Sequence, residues 1–378
     1  MTASIPRAPM VSVVMAVKNG GQIMREAIDS ILNQTFTDFE FIIINDGSTD
    51  ETLEVLAEYS DPRIQVYSQE NQGLARTLNR GLCLATGKYF ARQDHDDISL
   101  STRLEKQVAY FEAHPECGLL GTAAEIWDEK SHTGRFHHHP ILTPVLNFEL
   151  IFNNPFVHTS WMFRSNVISQ VGYYSIDTLR EPPEDYEYVS RIARECDVAN
   201  LADVLTIYRE MPNSLSSEIR PDQKNKIQPF KARLALISAE NIAYWNTLKL
   251  DDPHALNFGA LLHGAHDQYK EGSHFADFKR LIKSASRRIS LKSGVEIDSR
   301  LVRQKIDSLR YKYLTSKNVK RIDKFWVALS FDGFLHLYRL FKNRLLRRIY
   351  ERLTGPGPRR DYVLSRVKAF LPTKNRNR

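Results

Sequence analysis

Asp94-His95-Asp96-Asp97 directly follows Gly87-Lys88-Tyr89-Phe90-Ala91-Arg92-Gln93, a run that reads as a strand. Side chains alternate along a strand, and open α/β sheets place ligands in the loops at their carboxyl ends. Asp94 and Asp96 are therefore expected to project together and offer oxygen ligands to a hard divalent cation. Surface loops are rich in Asp, so the pair alone is a weak signal. A second acidic pair, Glu184-Asp185, follows Pro182-Pro183 and opens a helical pattern through Arg194. Carboxylates in a first helical turn can simply complement the helix dipole, and position alone gives Glu184 that role.

The elements that must hold these groups alternate. Val11–Val17 is an almost continuous apolar run, the pattern of a strand buried on both faces. Ile23, Ala27, Ile28, Ile31 and Leu32 recur at helical spacing. Phe39–Ile44 is a second buried strand, ending at the tight turn Asn45-Asp46-Gly47. Ser48 with Glu51, and Thr102 with Glu105, predict capping boxes at two helix starts. Arg63–Tyr67 predicts a third strand and Leu74–Leu84 a helix. This order implies a mostly parallel sheet with right-handed crossovers. Neither G-x-G-x-x-G nor a P-loop is present, so a phosphate would need another neutralising group, and a cation on Asp94 and Asp96 would serve.

The 378 residues, 42% of them hydrophobic, can build a sizeable core in two to three structural units. Cys83, Cys117 and Cys196 are odd in number and widely spaced, which argues against a disulfide framework or zinc site and fits a reducing cytosol. The N-terminus has no apolar h-region, and no stretch approaches the length of a spanning helix, so a cytoplasmic protein is expected. His137-His138-His139, with His132 nearby, lies between Thr133-Gly134 and Pro140, which indicates a loop; adjacent histidines on extended chain point apart, against a metal site.

Several motifs, in order, carry a resemblance. Val11–Asn19, Ala27–Phe36, Ile44–Asp50, Asn71–Asn79, Ala91–Ser99, Asn154–Ser160, Glu184–Glu187 and Tyr208-Arg209 together closely resemble glycosyltransferase family 2, of the bacterial cell-surface polysaccharide type. The resemblance covers about Val11 to Ser217 and implies an inverting enzyme with the GT-A fold. It implies that Ala16, Val17, Asn19 and Asp46 bind the nucleotide, Asp46 accepting the imide N–H of the base. Uracil suits that contact best, so a UDP-sugar is favoured, with GDP- and dTDP-sugars open. Arg76 is either a surface charge or a diphosphate contact. Asp94, shared between ribose and metal, and Asp96 resemble the family's ligands for Mn2+ or Mg2+; Asp97 would organise the loop. Asp185 resembles the general base, with His158 and Glu184 on the acceptor side, where the histidine run could form part of a rim. His95 and Ser101 depart from the family's usual residues without removing a carboxylate. Gly172-Tyr173 stands where Gly-Gly-Tyr is common.

These residues divide into a GT-A catalytic domain (1–220), a helical extension (221–320) and a basic amphipathic tail (321–378). Helical patterns run from Lys224 to Leu250 and from Ala260 to Ile282, the second interrupted at Gly272-Ser273. In the tail, Phe325, Trp326, Phe334, Leu337, Tyr338, Phe341 and Leu345 interleave with Arg339, Lys342, Arg344 and Arg348. The tail either packs on the catalytic domain or lies on an anionic membrane surface, which would make the protein peripheral on the inner face of the plasma membrane. The favoured partners are a nucleotide-sugar donor and a glycan or lipid-linked glycan acceptor. A sugar nucleotidyltransferase on the same fold is the alternative, though Lys18-Asn19-Gly20-Gly21 is a poor triphosphate loop. A non-catalytic nucleic-acid binder would leave Asp94, Asp96 and Asp185 unexplained.

Overall fold

The computed structural model describes residues 8–128, 131–179, 182–211, 224–270 and 272–329. The chain forms two compact units, residues 1–304 and 305–378. In the first unit the predicted alternation appears as β1 (Val11–Val17), α1 (Met24–Leu32), β2 (Phe39–Asp46), α2 (Thr52–Ala57), β3 (Ile64–Gln69), α3 (Leu74–Leu84) and β4 (Tyr89–Asp94). A short β5 (Ile98–Ser99) leads to α4 (Arg103–Ala113), β6 (Cys117–Trp127), β7 (His132–His137) and α5 (Thr143–Glu149). A 3-10 turn (His158–Ser160), β8 (Met162–Arg164), α6 (Val167–Val171), α7 (Glu184–Glu195) and β9 (Asp197–Arg209) follow.

Among the described residues nine strands form one sheet in the order β3-β2-β1-β4-β8-β6-β9-β5, with β7 paired to β6. β3, β2, β1 and β4 are mutually parallel. The chain leaves β1 for β2 on one side and returns from β3 to β4 on the other. This reversal opens a crevice outside the carboxyl ends of β1 and β4, the usual ligand position in such sheets. In register, Ala16 pairs with Asp94 and Val17 with Asn45, so the ends of β1, β2 and β4 lie level with one another.

Alternation along β1 feeds two cores. Val11, Val13, Met15 and Val17 pack with Ala27, Ile28 and Ile31 of α1 and with Leu104, Val108 and Phe111 of α4. Val14 and Ala16 face the other side, with Leu78 and Leu82 of α3 and Tyr186, Val189 and Ile192 of α7. Each large apolar side chain buried in this way contributes about 1.5–3 kcal/mol. Gly81 lets α3 approach closely, since a Cβ there would lie 2.4 Å from Val14 Cγ1. Trp161 and Phe163 also lie in the second core.

By composition residues 158–164 read as one strand, but 158–160 close a 3-10 turn before β8. Ser160 donates both its N–H (3.0 Å) and its Oγ–H (2.7 Å) to the Val157 carbonyl, which bends the chain. His132–His137 is strand β7 rather than loop, paired antiparallel with β6.

After residue 223 the first unit is helical: α8 (Lys224–Asn246), α9 (Pro253–His263), α10 (Phe275–Ser293) and the start of α11 (Ser299–Thr315). The predicted break at Gly272-Ser273 is wider, because α9 already stops at Gly264, whose φ of 68° suits a left-handed C-cap. α8 braces α7: Asn241 Nδ2 donates to Ser190 Oγ (2.9 Å), and Ser238 Oγ lies 3.0 Å from Tyr186 Oη. In the second unit, α12 (Arg321–Leu329) is the last described element, with Ile322 and Phe325 exposed. Most of the predicted amphipathic tail, residues 330–378, lies outside the described residues. No described helix is long and apolar enough to cross a membrane.

Candidate active site

Asp46 ends β2 as a buried carboxylate held by three donors. Its Oδ1 accepts from Gln69 Nε2 and the Gln72 N–H, both at 2.8 Å, and its Oδ2 accepts from the Gly73 N–H at 3.0 Å. Asp46 thus ties β2 to the loop before α3. Gly47 follows at φ +69°, where a Cβ would stand 2.9 Å from the Asn71 nitrogen. The side chains of Ala16 and Val17 belong to the two cores. Asn19 takes a left-handed conformation (φ 55°). It donates its N–H to Ser48 Oγ and accepts the Thr49 N–H at Oδ1, each at 2.9 Å. The first capping box does not form. Ser48 binds the β1 loop instead, and α2 starts only at Thr52, whose Oγ1 accepts the Gly20 N–H at 2.9 Å. Arg76 is exposed in the first turn of α3.

At the end of β4, Asp94 pairs with Arg92, two residues back on the same strand face. The Arg92 side chain is only 3% exposed. Burial opposes ionisation of Asp94, but the adjacent Arg92 charge outweighs it and holds the carboxyl below its ordinary range. Burial and then, after an opposing contribution from His95, the Asp94 charge push Asp96 upward. Asp97 is driven well up, first by burial and then by Asp96 and Asp94. Its Oδ1 accepts the Arg209 N–H at 2.8 Å, which anchors the acidic loop to β9. The Arg209 side chain in turn pairs with Glu26. Arg103, fully buried beneath the loop, donates to Ser99 Oγ (2.7 Å) and to the carbonyls of Arg92 (2.8 Å) and Trp161 (3.1 Å). Thr102 precedes α4 as predicted, but the second capping box is also absent, because Glu105 accepts the Thr35 hydroxyl at 2.6 Å.

The antiparallel pairing of β8 with β4 brings the 158–160 turn to the same edge. The Asp94 N–H donates to Thr159 Oγ1 at 3.0 Å. His158 is mostly buried, stacks edge-on to Trp161 and lies 2.9 Å from the Tyr174 hydroxyl through Nε2. Its Nδ1 stands 3.9 Å from Glu184 Oε1. Burial, reinforced by Arg92, pulls the His158 pKa down to about 3, so the ring is neutral. Glu184 and Asp185 occupy the first turn of α7. Asp185 Oδ1 accepts the Tyr186 N–H at 2.6 Å, and Oδ2 accepts Asn154 Nδ2 at 2.8 Å. Burial raises both carboxyls, Glu184 to about 8 with help from the Asp185 charge.

Structure thus gathers Asp94, Asp96, His158, Glu184 and Asp185 around the end of β4, with Asp46 and Asn19 tying the neighbouring loops. The histidine run is not among them: His137 stacks on His139 and meets Tyr208. Burial lowers His139 to about 4. Arg92, Tyr174 and Asn154 were not singled out from sequence. A charged residue in an otherwise buried strand, two positions before Asp94, was the one available signal for Arg92.

Among the described residues, no group of three His, Cys, Asp or Glu could hold a metal ion without help. Asp94 and Asp96 offer two carboxylates, a donor set that would suit a hard divalent cation only if further ligands came from elsewhere. Arg92 already meets Asp94 Oδ1, and Asp96 carries a carboxyl whose ionisation a nearby cation would favour.

The mixed sheet is of GT-A form, with paired aspartates at and just beyond the end of β4 and an acidic pair in the first turn of α7, and its relatives make the protein a glycosyltransferase. The chain belongs to glycosyl transferase family 2, whose model matches residues 12–172. It is 35% identical over 257 residues to an uncharacterized glycosyltransferase of Haemophilus influenzae, covering 64% of this chain and 76% of the relative. It is 36% identical over 207 residues to the O-antigen biosynthesis glycosyltransferase WbnJ of Escherichia coli (53% and 79% covered). The amylovoran biosynthesis glycosyltransferase AmsE of Erwinia amylovora is 31% identical over 234 residues (60% and 86%). Among solved structures, residues 1–349 of S. aureus TarS in complex with UDP-GlcNAc share the fold at a TM-score of 0.53, with 18% identity and coverage of 80% and 85%.

Proposed function

We propose that this enzyme transfers a sugar, with inversion, from a nucleoside-diphosphate sugar to a hydroxyl of a glycan or lipid-linked glycan in bacterial surface polysaccharide synthesis. The relatives named for O-antigen and amylovoran biosynthesis support that pathway class. One observation carries the chemistry. Residues 158 and 159 join the two acidic centres, Thr159 bonding the Asp94 N–H while His158 faces Glu184. The donor's diphosphate and the acceptor's hydroxyl can then meet across one short turn.

In this reading the base of the nucleotide lies over the ends of β1 and β2. Asp46 has two donors on Oδ1 and one on Oδ2, which leaves Oδ2 an acceptor position for one N–H. Uracil and thymine offer an imide N–H and guanine its ring N–H, with UDP-sugars favoured. Asn19 holds the adjoining loops together, and Arg76, exposed at the start of α3, is available to the diphosphate. Asp94 and Asp96 would hold Mn2+ or Mg2+, which supplies charge neutralisation for the leaving diphosphate when bound. Asp185 accepts the proton of the acceptor hydroxyl as it attacks, and His158 and Glu184 orient that acceptor. Neutral His158 can exchange one hydrogen bond in each direction without bringing charge near the diphosphate.

A donor screen tests this reading. Ligand that binds only the folded state stabilises by RT ln(1 + [L]/Kd), about 2.7 kcal/mol at a hundredfold excess over Kd. One uridine, guanosine or thymidine diphosphate sugar with Mn2+ should raise the melting temperature, and turnover should release nucleoside diphosphate. Release of pyrophosphate instead would assign the nucleotidyltransferase reaction.

Membrane association is a separate part of the proposal. α12 exposes Ile322 and Phe325 in a segment carrying Lys320, Arg321 and Lys324. Each basic residue near anionic lipid contributes about 1 kcal/mol, weakened by salt. Truncation after Ser316 is expected to abolish co-sedimentation with phosphatidylserine vesicles while leaving nucleotide binding intact. Equal sedimentation of both forms would reject a membrane role for the tail.

A further inference from the structure

We propose that Asn154 is the positioning residue that aims the Asp185 carboxylate at the acceptor hydroxyl. The proposal rests on the reading of Asp185 as general base and adds what holds that base in place. Asn154 bonds in both directions. Its Nδ2 donates to Asp185 Oδ2 at 2.8 Å, and its Oδ1 accepts the Phe156 N–H at 3.1 Å. The second bond fixes which end of the amide faces Asp185, so the side chain presents a donor there. With the Tyr186 N–H on Oδ1, each Asp185 oxygen has one donor, and the carboxylate cannot rotate without losing both.

The loop carrying Asn154 is itself braced. Asn200 on β9, 5% exposed, donates through Nδ2 to the carbonyls of Pro155 (3.1 Å) and Pro140 (2.9 Å). Asn154 thus transmits a sheet-anchored position to a helix terminus, which sequence spacing of 31 residues does not reveal.

The groups that set the charge around Asp185 come from several elements. Glu184 precedes it on α7, the Asp94 charge acts on it from β4, and Tyr174 lies on the loop before α7, while Arg92 and His158 act on the neighbouring Glu184 and Asp94. Burial raises Asp185, while its bonds from Tyr186 and Asn154 act against that rise. Removing the Asn154 donor therefore disfavours the ionised form and should raise the pH at which the base becomes active.

Asn154→Ser tests this in the full-length enzyme. Serine can still accept the Phe156 N–H, as Ser does in such turns, but is too short to reach Asp185. Turnover should fall about tenfold on the acid side of the kcat profile, and the acid limb should move to higher pH, so that the deficit shrinks as pH rises. The donor KM and the nucleotide-induced thermal shift should not change. Asn154→Ala, which loses both bonds, should move the limb equally. If the Ala variant is impaired and the Ser variant is not, Asn154 serves only the turn and the proposal fails. A uniform loss at every pH with an unmoved limb also overturns it. Asp185→Asn is measured alongside. Should that variant still transfer sugar, the base assignment falls and this proposal with it; should it be inactive while the Ser limb stays fixed, only the role of Asn154 is lost.

Discussion

Asp185→Asn is expected to bind the nucleotide-sugar as the wild type does and to transfer sugar at least about 10²-fold more slowly, the range for losing a general base. Direct displacement at the anomeric carbon needs an acceptor hydroxyl that sheds its proton while attacking from the face opposite the diphosphate. Asp94 is paired with Arg92 at the other acidic centre, and a cation held there with Asp96 would lower the basicity of both. Asp185 comes from a different element, α7, and has its two oxygens held by Tyr186 and Asn154. Amide replacement keeps the shape and removes the basic oxygen. Since burial raises Asp185, activity should fall as pH drops through a value above the usual aspartate range, because protonation removes the base. Glu184→Gln should cost less. Glu184, raised to about 8, is largely protonated at neutral pH and suits donating a hydrogen bond better than accepting a proton. Single-turnover transfer with saturating donor separates the two variants, and an inactive Glu184→Gln beside a near-normal Asp185→Asn would exchange their roles.

Asp96→Asn should fold normally yet lose roughly 10²-fold or more in turnover, the scale of removing one main electrostatic stabiliser of developing charge. The loop is held by Asp97 and Arg209 and by the Thr159 bond to Asp94, none of which uses the Asp96 side chain. Asp96 stands partly exposed and lacks the arginine partner that Asp94 has, which makes it the stronger candidate ligand. The variant should also lose the Mn2+-dependent part of the thermal shift given by nucleoside diphosphate, a readout independent of turnover. Undiminished wild-type activity in EDTA would remove the metal from the proposal altogether.

Much of this was legible in the sequence because it is local. Buried strands such as Val11–Val17 and Phe39–Ile44 show as apolar runs, and helix α3 begins and ends at the predicted residues. Turn chemistry set Asp46-Gly47 at the end of β2. Side-chain alternation placed Asp94 on the strand face it occupies. Failures occurred where distant residues competed for the same bonding groups. Ser48 and Glu105 had the right spacing for capping boxes, but Asn19 and Thr35, brought close by folding, captured them. The 158–164 segment had strand composition, yet carbonyl bonds within the turn bent its first half.

The sequence by itself determined the element order, the family and the set of acidic residues, since those follow from short-range periodicity and from motifs in series. Tertiary structure decided the state of each group. Pairing of β8 with β4 carries His158 to Asp94, and α8 braces the helix that presents Asp185. Burial then leaves His158 neutral, raises Glu184 and Asp185, and fixes Arg92 beside Asp94. Ionisation depends on desolvation and on charges a few ångströms away, and those neighbours come from segments up to about a hundred residues apart in the chain.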